Sequence, residues 1–110
     1  MKKVLFVCSA NVDRSKTAED FFSEQFSNIM IKSAGTNHTI CHQKGTNALD
    51  QEMIDWADVI LVMENKHQDW IYTTLNAKGK QIEVLNIEDR FNYYSMELIE
   101  ILQVKCHSFL

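Results

Sequence analysis

The sequence predicts an α/β domain of three layers, α/β/α, built on a four-stranded parallel sheet. Two observations carry this. Four short runs of continuous apolar residues recur along the chain, and longer amphipathic segments separate them. Continuous rather than alternating apolar runs suit strands buried on both faces. Strand–helix alternation then calls for right-handed crossovers over a parallel sheet.

Taken in order, Lys3–Val7 is β-branched and aromatic and reads as the first strand. Ser15–Phe26 places Ala18, Phe21, Phe22 and Phe26 at helical spacing, with Glu19, Asp20 and Glu24 facing out. Ile29–Lys32 is a second short strand, closed by Ser33-Ala34-Gly35-Thr36, and the polar stretch Asn37–Gly45 reads as loop. Asn47 is placed to cap a helix running through Leu49, Met53, Ile54 and Trp56. Asp58–Met63 is the third strand, and a helix over Lys66–Leu75 follows, with Gly79 at its exit. Gln81–Leu85 is the fourth strand, and Ser95–Lys105 the last helix, with Leu98, Ile101, Leu102 and Val104 inward.

The 110 residues suffice for one domain, 1–110, and not for two. A hydrophobic share of 45% against 24% charged is that of a soluble globular chain. A net charge of −4 makes a poor partner for a nucleic-acid backbone. The apolar run Val4–Cys8 is too short for a signal peptide or a membrane span, so the chain reads as cytoplasmic with no membrane partner. Three cysteines argue against a disulfide scaffold. His38, Cys41 and His42 crowd the polar loop, but no second ligand pair at zinc spacing joins them, so no metal is expected and they read as solvated. Cys106 falls at the end of the last helix. Nothing in the sequence indicates an oligomeric state.

Ligand sites in parallel sheets lie at the carboxyl ends of the strands. That rule points to Cys8-Ser9-Ala10-Asn11-Val12-Asp13-Arg14-Ser15, the turn from the first strand into the first helix. A loop ending at a helix N-terminus turns several backbone N–H groups into one concavity, which suits an anion. Arg14 adds a planar fork matched to two phosphate oxygens. The same positive field favours thiolate over thiol at Cys8. A nucleophile and an oxyanion clamp on one loop are what phosphoryl transfer requires. Ser9 and Ala10 let the chain curl, Asn11 tolerates left-handed geometry, and the Ser15 hydroxyl is near enough to donate to the sulfur. A leaving group also needs a proton donor. The loop Asn86–Tyr94, at the same sheet edge, offers Glu88 and Asp89.

Cys-x5-Arg-Ser followed by Thr17-Ala18-Glu19, with Ser33-Ala34-Gly35-Thr36, Val62-Met63-Glu64 and Ile87-Glu88-Asp89 in order downstream, resembles the low-molecular-weight protein tyrosine phosphatase family. The resemblance spans essentially the whole chain and is strongest to the short, predicted tyrosine phosphatase branch. The chain is shorter than a typical member, the difference falling between Thr36 and Trp56. The resemblance implies the phosphotyrosine phosphatase I-like fold and hydrolysis of a phosphorylated protein or small phosphomonoester, with no cofactor. It implies Cys8 as the nucleophile that becomes phosphocysteine and Arg14 as the phosphate-binding arginine. Asn11 and Ser15 become the shapers of the loop, and Asp89, rather than Glu88, the general acid. Phe91 follows the acid and is expected to wall the substrate slot.

Three positions depart from the family pattern. Asp13 stands where a second loop cysteine is frequent, which removes a loop disulfide and sets a carboxylate beside the anion site. Lys16 stands where proline is usual, and Asp89-Arg90 where Asp-Pro is usual. Two alternatives accompany the phosphatase expectation. One is a thiol-dependent arsenate reductase on the same fold, for which a closely spaced downstream cysteine pair is missing. The other is a catalytically weak module that binds phosphate or phosphopeptide. A phosphocarrier domain would not call for Arg14 and Ser15.

Overall fold

Strand β1 (Lys2–Cys8) sits at the centre of the molecule with no exposed side chain after Lys2. In the computed structural model, which describes residues 1–110, it pairs in parallel with β2 (Ile29–Gly35) on one side and β3 (Val59–Val62) on the other. β4 (Gln81–Val84) extends the sheet beyond β3, giving the order β2-β1-β3-β4 with every pair parallel. The crossovers are α1 (Arg14–Gln25), then α2 (His38–Lys44) with α3 (Gln51–Trp56), then α4 (Asn65–Thr74). The chain closes with α5 (Met96–Cys106) and a short 3₁₀ turn, His107–Phe109.

The period-2 alternation of β1 splits the core in two. Val4, Phe6 and Cys8 join Val59, Leu61 and Met63 beneath α1 and α5, where Phe6 stacks on Phe22 at 5.8 Å and Leu98 and Leu102 complete the layer. Leu5 and Val7 join Ile60 and Val62 on the opposite face, against Ile54 of α3 and Ile71 of α4. Each such fully buried side chain contributes roughly 1.5–3 kcal/mol of transfer free energy. β1 connects to β2 on one side, and the chain then crosses to β3 on the other. The carboxyl ends of β1 and β3 therefore diverge into a crevice, the usual ligand position in open parallel sheets.

The structure corrects several element boundaries. Asn37–Gly45 is not loop. Asn37 caps α2 by accepting from Ile40 N at 3.1 Å, and Gly45 closes it in the left-handed region at φ 69°. Its apolar signal was too sparse to show a period. Asn47 caps no helix; Asp50 does, accepting from Met53 N at 3.0 Å. β2 runs on through Ser33-Ala34-Gly35 to reach the level of Cys8, its register partner being Gly35. No helix is long and apolar enough to cross a membrane.

Candidate active site

The turn between β1 and α1 keeps its carbonyls outward and its amides free. Cys8 O accepts from Thr36 N (3.0 Å), Ser9 O from Asn37 N (2.9 Å), Ala10 O from Thr46 Oγ1 (2.6 Å) and Asp13 O from Thr17 N (2.9 Å). The amides of Ser9, Ala10, Val12, Asp13 and Arg14 make no hydrogen bond within the protein. Successive unpaired N–H groups ending at a helix N-terminus form an anion concavity.

Asn11 is the hinge of that turn. Its φ of 56° lies in the left-handed region that Asn tolerates better than most residues. Its buried amide donates from Nδ2 to Ser15 Oγ and to Ser33 Oγ, both at 2.8 Å, and its Oδ1 accepts from Asn47 N at 3.1 Å. Ser33 Oγ in turn donates to Glu19 Oε1 at 2.5 Å. Because Ser15 Oγ accepts from Asn11, its own proton is free for Cys8 Sγ, 2.9 Å away. Asn11 N also donates to Cys8 Sγ, at 3.3 Å. The sulfur is thus held between the Asn11 amide, which donates to it, and the Ser15 hydroxyl.

Arg14 is 1% exposed, an unusual position for a guanidinium. Nη1 donates to Glu64 Oε2 (2.5 Å) and to Ile87 O (2.7 Å), which holds the fork in one plane. Its Nε is buried and has no hydrogen-bond partner. Partial burial alone would raise the Glu64 carboxyl; the hydrogen bond and charge of Arg14, joined by Lys66 and His67, hold it below the usual carboxylate range. Glu64 was legible only as part of a family match, and its grip on Arg14 appears only in three dimensions.

Past β4, Asp89 and Glu88 diverge. Asp89 Oδ1 stands 3.7 Å from Arg14 Nε, while Glu88 pairs with Arg90, which also reaches Glu97 at 3.1 Å. Phe91 is a correction. It is 7% exposed and packed in the core beneath α5, its ring covered by the Arg90 guanidinium at 4.1 Å. The chain turns its side chain inward at that position, so it cannot wall a slot. Tyr93 lines a cleft of about 470 Å³ beside the loop, with Asn11, Val12, Lys16 and Thr46. Its hydroxyl donates to Asp20, and that bond, with some burial, pushes the phenol up to about 12. Lys16 bridges Asp20 at 3.2 Å and Glu19 at 3.5 Å.

Five further placements stand out. Asp13 occupies the N-cap position of α1, half-buried, and its side chain caps nothing. Cys41 is not a solvated thiol: it is fully buried on α2, with Sγ 3.5 Å from Ala10 O. Cys106 is equally buried rather than frayed, and desolvation pushes its thiol up to about 12. His38 is exposed, donates from Nε2 to Leu49 O at 2.7 Å, and has its ring centroid 5.5 Å from that of Trp70. His67, which no sequence signal singled out, is fully buried below Ser9, its Nε2 2.9 Å from Ser9 Oγ.

Solved structures share this fold. A low molecular weight protein tyrosine phosphatase from T. tengcongensis superposes with a TM-score of 0.79 at 21% identity, covering 100% of each chain. The tyrosine phosphatase Wzb from Escherichia coli K30, solved with phosphate, gives 0.78 at 19%, over 98% of this chain and 95% of that one. The YwlE arginine phosphatase from Geobacillus stearothermophilus gives 0.62 at 24%, over 98% and 85%. No curated protein sequence matches significantly. The sequence profile described as low molecular weight phosphotyrosine protein phosphatase matches residues 3–101. The chain therefore belongs to the low molecular weight phosphotyrosine protein phosphatase family, and is a cysteine-based phosphatase, a hydrolase.

Proposed function

We propose that the protein hydrolyses aryl phosphomonoesters, phosphotyrosine among them, through a phosphocysteine at Cys8. The observation that carries this is the pairing of a ring of unpaired amides with a sulfur that accepts from Asn11 N and lies 2.9 Å from Ser15 Oγ. The Cys8 thiolate attacks phosphorus, a sulfur–phosphorus bond forms and the bond to the leaving oxygen breaks. Arg14 Nε and the loop amides hold the equatorial oxygens as charge spreads over them. Asp89 gives its proton to the departing phenolate; as carboxylate it then takes a proton from water, which attacks phosphorus and returns the thiolate with inorganic phosphate. Residues 1–110 carry the whole reaction, and the charge work falls to arginine and backbone. The cleft between Val12 and Tyr93 fits a flat aryl group, with Lys16 at its rim.

The test is hydrolysis of an aryl phosphate by the wild-type protein and by Cys8→Ser. Turnover should vanish in the variant while vanadate or phosphate binding remains, because the amides and Arg14 are untouched. Retained hydrolysis in Cys8→Ser overturns the phosphocysteine route. Phosphate binding without turnover in the wild type leaves the binding-module reading in its place.

A further inference from the structure

We propose that His67 is a positioning residue that locks the phosphate loop to the carboxylate holding Arg14, an inference that rests on the phosphatase reading above. The imidazole is fully buried in the first turn of α4. Both of its nitrogens are used. Nδ1 accepts from Glu64 N at 3.1 Å, so in the neutral ring Nε2 carries the proton and donates to Ser9 Oγ at 2.9 Å. Ser9 follows the nucleophile at the end of β1, and Glu64 follows β3 across the crevice. Glu64 Oε2 in turn takes Arg14 Nη1 at 2.5 Å. A closed circuit results: Cys8-Ser9, His67, Glu64, Arg14, and back along the loop to Cys8. Ser9 and Arg14 are the two ends of the amide ring, and the imidazole fixes the distance between their supports.

The lock works only with a neutral ring. A second proton on Nδ1 would face the Glu64 N–H, donor against donor, and would set a cation beside Arg14. The charged groups around the ring are Arg14 and Lys66 on one side of the balance and Glu64 and Asp89 on the other. Burial, helped by Arg14, pushes the imidazole down to about 4, so the acceptor at Nδ1 persists through the neutral range.

The circuit separates into two halves by substitution. In His67→Asn the amide oxygen takes the place of Nδ1 and keeps the Glu64 N–H bond, but nothing reaches Ser9. In His67→Gln the amide nitrogen reaches Ser9 and the acceptor for Glu64 is lost. Ser9→Ala removes the acceptor on the loop. If the lock positions the anion site, Ser9→Ala and His67→Asn each weaken inorganic phosphate binding and raise KM for an aryl phosphate about three- to tenfold. kcat changes by less than about twofold, since ground state and transition state lose the same support. The double variant is no weaker than the weaker single, because both break one bond. Nitrogen-15 NMR of the wild type shows protonated Nε2 and bare Nδ1 from pH 7 down to about 5, and the Nε2 resonance moves in Ser9→Ala. Thermal unfolding controls for folding, and Ser9→Ala, a small change on the loop, carries the test if a His67 variant fails to fold. Additive losses, unchanged phosphate affinity, or a doubly protonated ring at pH 7 overturn the proposal. A wild type that binds phosphate but does not turn over defeats the phosphatase reading alone, and the affinity and NMR comparisons still judge the lock.

Discussion

Arg14 Nε lies 3.7 Å from Asp89 Oδ1, buried and without a hydrogen bond of its own. The distance leaves a gap that an anion's oxygen would share with both, one side chain as cation and the other as proton donor. Glu88, one residue earlier, is turned to Arg90 instead.

From that geometry, Asp89→Asn should slow hydrolysis of phenyl or tyrosyl phosphate by about 10²–10⁴. A substrate with a much better leaving group should lose far less, because it needs no proton to depart. Glu88→Gln should be mild. Equal losses on the two substrates, measured as kcat across a leaving-group series, would remove Asp89 from the role.

Arg14→Lys keeps the charge but loses the fork that bonds Glu64 and Ile87 O together. Most of the activity should go with it, and phosphate affinity measured by calorimetry should fall in parallel. Wild-type behaviour would reduce Arg14 to a helix-start residue.

At Asn11 two contributions can be told apart. Asn11→Gly keeps the backbone free to sit at φ 56° but deletes the amide bonds to Ser15, Ser33 and Asn47. Asn11→Ala loses those bonds and adds strain. Both should cost turnover, with Ala the less stable of the two in denaturant unfolding. If Gly restores full turnover, the amide network is not what orients Ser15 on the sulfur.

A Cβ on Gly35 would meet Ser9 O at 2.4 Å and Cys41 Sγ at 2.7 Å. Gly35→Ala should therefore destabilise the protein by roughly 1–3 kcal/mol and weaken phosphate binding, since Ser9 must shift. Adding Cys41→Ala should recover only part of the loss, because the backbone contact remains. Full recovery would assign the clash to the thiol alone.

The pH dependence of stability follows from His67. Its imidazole sits at about 4 in the folded protein against an ordinary 6.5. Between those values the unfolded chain binds more protons, so stability should fall as pH drops from 6.5 and the loss should be complete below about 4. Glu64, held low by Arg14, adds a second decline that begins near its ordinary 4.5 and continues below it. Denaturant midpoints at pH 7 and pH 5 for the wild type and His67→Gln check this. The variant should lose the upper part of the slope, and an unchanged slope would place the transition elsewhere.

The parallel sheet, its alternating helices and the chemistry of the Cys8–Ser15 turn were legible in one dimension because each rests on local pattern. Continuous apolar runs call for strands buried on both faces, and a cysteine, five residues and an arginine between a strand and a helix, with Ser15 beside them, point to an anion site. What packs against that turn was not legible. α2 buries a single cysteine under the loop, too little to register as a period. Phe91 and Tyr93 differ by two residues, and only the path of the chain onto α5 decides that the first fills the core and the second lines the cleft. Glu64 and His67 look like ordinary polar residues of a helix start. They acquire their partners because β1 and β3 are neighbours in the sheet although about fifty residues apart in sequence (50 between Arg14 and Glu64, 58 between Ser9 and His67). Local sequence carries Cys8 and its loop; strand order, a matter of long-range packing, decides which side chains hold them in place.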